Sequence, residues 1–169
     1  MSGDEIGRLY LDDLGHRLAR LRANAERAME QVDDEAFFRT GGAEENSISL
    51  IVKHLSGNLR SRWTGFLTSD GEKPDRDRDA EFEHREGDDR VALMASWKSS
   101  WEIAEETLRS LSPADLVRTV RIRGELHSVV AALNRQLAHT AYHTGQIVLL
   151  SRHHAGERWE TLSIPRRRS

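Results

Sequence analysis

Two histidines, His139 and His143, stand four residues apart within a long run of helical periodicity. On an α-helix, residues i and i+4 lie one above the other on the same face, so both imidazoles would point in one direction. Imidazole is a good ligand for zinc, nickel, copper and iron, so two neutral imidazoles placed this way can share one ion. With a third ligand from elsewhere, the pair would form a metal site with one coordination position open to water or substrate.

His54 is the candidate for the third ligand. It follows Ile51 by three residues and precedes Leu55 by one, which places it at the inner edge of the apolar stripe of another predicted helix. A buried imidazole needs hydrogen-bond partners or a metal, and bundle cores often hold metal sites built from facing helices. The alternative is ordinary buried histidines, because a chain with eight histidines often contains one such pair by chance.

Two amide side chains are candidates for supporting these ligands, because a ligand histidine donates its other ring N–H to an acceptor. Gln146 lies three residues after His143, and Asn58 lies four residues after His54. The alternative is that both are ordinary surface amides. The five other histidines are expected at the surface: His16, His84, His127, His153 and His154. Of these, His127 is the first to check as a further ligand, because it is predicted on the same helix as the pair.

Four amphipathic helices are predicted to position these residues. Apolar residues recur at three- and four-residue steps over residues 4–33, from residue 46 or 47 to about 68–71, from residue 88 or 89 to about 110, and from about 125 to 152. Asn46 or Ser47 would cap the second helix, and Asp88 or Asp89 the third. Four long helices with short connections predict an all-α four-helix bundle, in one domain spanning residues 1–169.

The connections contain two segments of special composition. Residues 70–89 are rich in Gly, Pro, Asp and Arg and predict a long exposed loop between the second and third helices. A loop of this length is often functional, and the alternative is a solvated run of charges. Residues 117–123 alternate apolar and charged residues, which indicates an extended segment, but one too isolated to form a sheet.

Composition limits the classes of function. The chain has no cysteine, so disulfides, thiolate ligands and a cysteine nucleophile are excluded. Its formal net charge of −3 disfavours nucleic-acid binding, including binding through Arg166–Arg168. The same charge provides no electrostatic attraction to an anionic membrane. No apolar run reaches the roughly 18 to 20 residues of a membrane span, and the N-terminus does not resemble a signal peptide. We therefore expect a cytoplasmic protein without nucleic-acid or membrane partners.

Several segments taken together resemble a known group of proteins. They are residues 46–59, Arg62-Trp63, residues 66–68, residues 70–74, residues 134–147 with both histidines of the pair, and Trp159 with residues 162–166. On these segments, nearly the whole chain resembles the DinB-like (YfiT-like) superfamily of metal-dependent hydrolases. Within it the chain looks closest to a bacterial subfamily of unknown function.

The resemblance implies a bundle of up-down-down-up topology and a divalent metal, typically zinc or nickel, held by His54, His139 and His143. It also implies a homodimer, and some relatives use a low-molecular-weight thiol such as bacillithiol or mycothiol. One departure is visible in the tail, where Arg167 stands in place of the subfamily's glycine. That departure puts the turn of the tail in doubt and does not touch the three histidines.

Two functions from different classes follow. The first is an enzyme, a thiol S-transferase or a hydrolase, in which the metal activates a thiol or a water for attack on a small electrophile. Four arginines are candidates for binding an anionic cosubstrate, or alternatively are solvated surface residues: Arg60, Arg62, Arg76 and Arg78. The second function is a non-catalytic metal-binding or stress-related protein, because likeness of fold does not establish chemistry.

Overall fold

The structure, a computed structural model, describes residues 2–42 and 45–164. Within them the chain is mostly helical, with five α-helices: α1 (Gly3–Met29), α2 (Asp34–Phe38), α3 (Ile48–Trp63), α4 (Arg90–Ser110) and α5 (Val129–Ala155). Short 3-10 helices span Asp79–Phe82, Pro113–Val117 and Gly156–Arg158, and the strands are β1 (Thr119–Ile122) and β2 (Glu125–Ser128). Arg166–Arg168, including the Arg167 departure, lies outside the described residues.

The predicted starts of α3 and α4 are confirmed. The Ser47 hydroxyl accepts a hydrogen bond from the Leu50 backbone N–H at 3.2 Å. The Asp89 carboxylate accepts one from the Ala92 N–H at 2.8 Å. Each side chain satisfies a donor that the first helical turn leaves unpaired, so the polar residue before the apolar stripe fixes where the helix begins.

The predicted ends of the first two helices were wrong. α1 ends at Met29, and α2 begins separately because the Asp33 carboxylate caps it by accepting the Ala36 N–H at 2.9 Å. α3 ends at Trp63 and does not continue to residues 68–71. Gly65 follows with a φ of 58°, a left-handed conformation that ends a helix and suits glycine.

The segment expected to be too isolated for a sheet forms half of a hairpin, so that prediction was wrong. β1 and β2 pair antiparallel, from Thr119 opposite Ser128 to Ile122 opposite Glu125. Arg123 and Gly124 make the turn with φ values of 57° and 78°, the combination of a type I′ turn. The predicted start of the last helix near residue 125 was therefore also wrong, because residues 125–128 are β2 and Ser128 caps α5.

The core lies where α3 packs against α4 and α1 packs against α5, and α3 also contacts α5. The largest side chains with almost no exposure are Trp63, Trp97, Trp101, Phe37, Leu14, Ile51, Leu55, Leu59, Leu133 and Ile147. The Trp97 indole N–H donates to the Glu26 carboxylate at 3.0 Å, which satisfies one polar group among these rings. No helix in the described part of the chain is both long and apolar enough to span a bilayer.

Residues 70–89 are not simply an exposed loop, contrary to the prediction. The 3-10 helix Asp79–Phe82 packs against α3, and Ala80 and Glu81 within it are buried. Lys53 on α3 holds the end of the segment through the Glu83 carbonyl and the Asp88 carboxylate, each at 2.9 Å. This segment therefore forms a strap across α3, and it positions one acidic side chain beside a histidine.

Candidate metal centre

The structure brings the three predicted histidines together. His54 comes from α3, and His139 and His143 come from successive turns of α5. One potential ligand atom from each lies within 4.8 Å of the others. His54 and His143 are 4% and 8% exposed, and His139 is half-buried. The three imidazoles are close enough to hold one metal ion.

The spacing of the ring nitrogens fits a shared cation. The Nε2 atoms of His54 and His139 lie 3.2 Å apart. Two nitrogens bound to zinc at 2.0–2.1 Å with tetrahedral angles are separated by about 3.3 Å. The observed separation is therefore close to the one that coordination requires.

Hydrogen bonds to two of the rings fix which nitrogen is free. His54 Nδ1 lies 2.9 Å from a Glu81 carboxylate oxygen, and His143 Nδ1 lies 2.7 Å from the Gln146 amide oxygen. Because both partners are acceptors, each Nδ1 carries the proton and donates it, which leaves the lone pair on Nε2 for a metal. His139 Nδ1 is buried and has no hydrogen-bond partner among the described residues.

Burial keeps the α5 histidines neutral. It lowers the pKa of His139 to about 3, with smaller contributions from the neighbouring His143 and His54. Burial also lowers the pKa of His143, against an opposing effect of its hydrogen bond to Gln146. A neutral imidazole is the form that binds a metal, so these rings need not lose a proton at neutral pH before they coordinate.

Glu81, on the strap, belongs to the candidate site, although the sequence did not single it out. It is 7% exposed and receives two hydrogen bonds of 2.7 Å from Arg76 besides the one from His54. Burial alone would raise the pKa of Glu81, but the bonds from His54 and Arg76 outweigh it and hold that pKa below its usual value. Gly57 on α3 makes this approach possible, because a Cβ there would lie 2.1 Å from a Glu81 oxygen.

A signal for Glu81 exists in the sequence, although it is weak. Ala80 and Phe82 are isolated apolar residues in a charged segment, and such residues indicate a local packing contact. The Phe82 ring lies 4.6 Å from the His54 ring, centroid to centroid, so it covers the imidazole while Glu81 orients it.

The histidines open into a cavity of about 530 Å³. It is lined by Asn46, His54, Asn58, Arg62, Arg76, Arg78, Phe82, Ile122, Arg123, Ala132, Arg135, Gln136, His139, Tyr142, His143 and Gln146. Of the four arginines expected to attract an anion, Arg60 is not among these residues. Arg123, Arg135 and Tyr142, which the sequence did not single out, are among them.

The two candidate supporting amides behave differently. Gln146 binds His143, as its spacing predicts. Asn58 is 6% exposed and so is not a surface amide, but its Oδ1 atom has no hydrogen-bond partner among the described residues. Asn58 lines the cavity, and its Oδ1 is a buried polar atom that the described residues leave unpaired.

The five other histidines take no part in the cluster. His16, His84 and His153 are exposed, and His127 and His154 are half-buried. His127 was expected on the same helix as the α5 pair, but that prediction was wrong, because His127 lies in β2.

A family model described as "Protein of unknown function (DUF1572)" matches residues 5–168. Neither the curated proteins nor the solved structures gave a significant match to the chain.

Proposed function

The chain belongs to the DUF1572 family, and we propose that it is a metal-dependent enzyme whose cation is held by His54, His139 and His143. The observation that carries the proposal is the convergence of three imidazoles beside a cavity, with two Nε2 atoms 3.2 Å apart. Three protein ligands leave a coordination position open, which is the pattern of catalytic zinc sites and not of structural ones.

The proposed cation is zinc or nickel, because the resemblance to the DinB-like superfamily implies these two among the metals that imidazole suits. Such a cation lowers the pKa of a water or thiol that coordinates it and holds the nucleophile beside the substrate. Glu81 and Gln146 keep the His54 and His143 rings oriented through their Nδ1–H groups. Phe82 limits the access of water to the His54 ring, and Asn58 offers its amide to the ligand in the cavity.

The proposed reaction is transfer of a thiol sulfur, or of water, to a small electrophile. In the thiol reaction a sulfur–carbon bond forms, the leaving group departs with its bonding electrons, and the thiol proton passes to solvent. The chain has no cysteine, so the sulfur nucleophile arrives as a small molecule. A cavity of about 530 Å³ is of the size that holds small-molecule ligands.

We extend the proposal to the architecture and assembly. Four long helices with α1 on α5 and α3 on α4 support a DinB-like bundle of up-down-down-up topology, with the ligands on the second and fourth of them. Tyr142 and Leu149, seven residues apart on α5, are 64% and 67% exposed, which supports a homodimer. Light scattering on the purified protein tests the dimer. Neither a membrane nor a nucleic acid is part of this function, which we place in the cytoplasm.

Elemental analysis of the purified protein tests the metal site. The wild-type protein is expected to carry about one zinc or nickel per chain, and His139→Ala is expected to lose it. His153→Ala is the matched control, because it removes an exposed histidine near the end of the same helix. Equal metal content in His139→Ala and His153→Ala would rule out the site.

A second assay separates the enzyme from a metal-binding protein without catalysis. The metal-loaded protein is mixed with a thiol and 1-chloro-2,4-dinitrobenzene, and separately with p-nitrophenyl acetate. Formation of a thioether or release of nitrophenol that is lost in His139→Ala, and kept in His153→Ala, supports the enzyme. A loaded protein that accelerates neither reaction supports the non-catalytic alternative.

A further inference from the structure

The cavity beside the histidines has an excess of positive charge. Five arginines line it, and no carboxylate is among the described residues that do so. Three carboxylates in the described part of the chain form ion pairs with these arginines, at nitrogen–oxygen distances of 3.8 Å or less. Glu72 is shared by Arg62, Arg76 and Arg123 at 3.2–3.3 Å. Glu81 pairs with Arg76 at 2.7 Å, and Asp79 pairs with Arg78 at 3.8 Å. Five positive charges are paired with three negative ones, which leaves an excess of two positive charges at the cavity.

Arg62 places part of this excess charge in a buried position. Its side chain is among the buried charged groups at 9% exposure, and it pairs with Glu72 through Nη2 alone. The other terminal nitrogen, Nη1, is shielded from solvent and has no hydrogen-bond partner among the described residues. Burial, together with the nearby Arg76, Arg123 and Arg135, lowers the pKa of Arg62 in spite of Glu72. A buried cation compensated so poorly destabilises the fold unless something else binds it.

The backbone of Arg123 has an unfavourable conformation. Its φ of 57° is left-handed, a region that glycine and asparagine adopt far more readily than arginine. Its N–H and that of Gly124 donate to the Asp70 carboxylate at 2.8 and 2.7 Å, which ties the turn to the strap. The chain thus maintains an arginine at the cavity rim where another residue would favour the turn.

Arg135 brings a third guanidinium to the same end of the cavity. It precedes His139 by four residues on α5, which is about 6 Å along the helix axis. It forms no ion pair with the described residues. Arg62 follows His54 by eight residues on α3, about 12 Å along that helix. The arginines therefore lie one to two helical turns from the histidines, at the end where the hairpin turn closes the cavity.

We propose that Arg62, Arg123 and Arg135 form an anion subsite, so that the small molecule acted on carries a carboxylate held there while its reacting group lies at the histidines. The position of the reacting group at the histidines rests on the proposed function. Arginine suits the role because its planar, permanently charged group pairs with both oxygens of a carboxylate. The subsite restricts substrates or thiols to anionic ones.

Titration calorimetry with matched probes tests the subsite. The metal-loaded protein is expected to bind 3-mercaptopropionate at least about tenfold more tightly than the neutral 3-mercapto-1-propanol. Arg123→Asn is expected to remove most of that difference and to leave affinity for the neutral thiol unchanged. Asparagine accepts the left-handed turn, so this variant should fold at least as well as the wild type.

Arg60→Gln is the matched control, because it removes the same charge from an exposed position on α3 outside the cavity. It should keep the preference for the anionic thiol. Equal affinities for the two thiols, or an equal loss in Arg60→Gln and Arg123→Asn, would overturn the subsite and leave the metal proposal standing.

Glutarate binding to the metal-free protein separates the two proposals. If the protein holds no metal but binds glutarate with an affinity that Arg123→Asn weakens about tenfold, the subsite stands and the proposed function fails. If wild type and Arg123→Asn bind glutarate equally, the subsite is wrong whatever the metal does.

Discussion

The two sides of helix α3 are both buried, but they are made of different residues. One side carries His54, Asn58 and Arg62 at four-residue steps, and all three line the cavity. The other carries Leu55 and Leu59, which belong to the apolar core and have no exposed surface. Each polar residue stands beside an apolar one in sequence, so one helix supplies the core on one side and the candidate site on the other.

The two sides differ in the kind of group that is buried. On the apolar side, the leucines pack in a core that also contains Trp97 and Trp101, where burial of apolar surface stabilises the fold. The Trp101 indole N–H is the exception there, because it is buried without a partner among the described residues. On the polar side, Asn58 Oδ1 and Arg62 Nη1 are buried without partners among the described residues. Polar burial of this kind lowers stability, so a ligand that paired with these atoms would stabilise the polar side of α3.

Neighbouring alanine substitutions should separate the two sides most strongly. Leu55→Ala removes a fully buried side chain and is expected to lower the free energy of unfolding by about 2–5 kcal/mol. His54→Ala should lower it less, because the site already borders a cavity, but should abolish metal binding. Urea denaturation of the metal-free proteins measures the first effect, and elemental analysis measures the second. Equal losses of stability would mean that His54 is an ordinary core residue.

Glu81→Gln tests whether the strap supports the metal ligand. The substitution keeps the shape of the side chain but removes the charge that orients His54, so metal affinity is expected to fall about 10- to 100-fold. Competition with a chromophoric chelator measures that affinity. Glu83→Gln is the control, because Glu83 is an exposed acid two residues away on the strap. A similar small change in both variants would show that Glu81 serves only Arg76.

Arg62→Leu should have the opposite sign from Leu55→Ala. It replaces a poorly compensated buried cation with an apolar side chain, and Glu72 keeps its contacts to Arg76 and Arg123. The free energy of unfolding is expected to rise by about 1 kcal/mol. Arg60→Leu, at an exposed position, should change it little. A marked loss of stability in Arg62→Leu would show that the guanidinium is structural.

Much of the histidine cluster was predictable because it depends on helical periodicity. The four-residue spacing of His139 and His143 and the position of His54 beside Leu55 place each ring on a helix face, and the structure brings those faces together. Ser47 and Asp89 marked the starts of α3 and α4 for the same reason: local chemistry decides them.

The strap and the hairpin were not predictable, because distant contacts decide them. Glu81 is buried only since Gly57, 24 positions earlier, leaves room for it and Arg76 neutralises it. The hairpin turn uses Arg123 in place of the Asn-Gly sequence that would have indicated it, and Asp70 holds the turn from 53 positions away. Single-residue signals do not record such pairings.

Replacing the Asp70 carboxylate should give the smallest effect, a change in how the free energy of unfolding depends on pH. Hydrogen bonds from the backbone N–H groups of Glu72, Gly124 and Arg123 hold the pKa of Asp70 below its usual 3.8. A carboxyl group whose folded pKa is depressed stabilises the fold above its unfolded pKa and loses that contribution as pH falls through the folded pKa. The free energy of unfolding, measured between pH 5 and about pH 2, should therefore fall slightly less steeply with falling pH in Asp70→Asn than in wild type, because solvent screens this nearly unburied group. Asp75→Asn, exposed on the same strap, should follow the wild-type slope. If Asp70→Asn also follows it, the turn that carries Arg123 does not depend on this carboxylate.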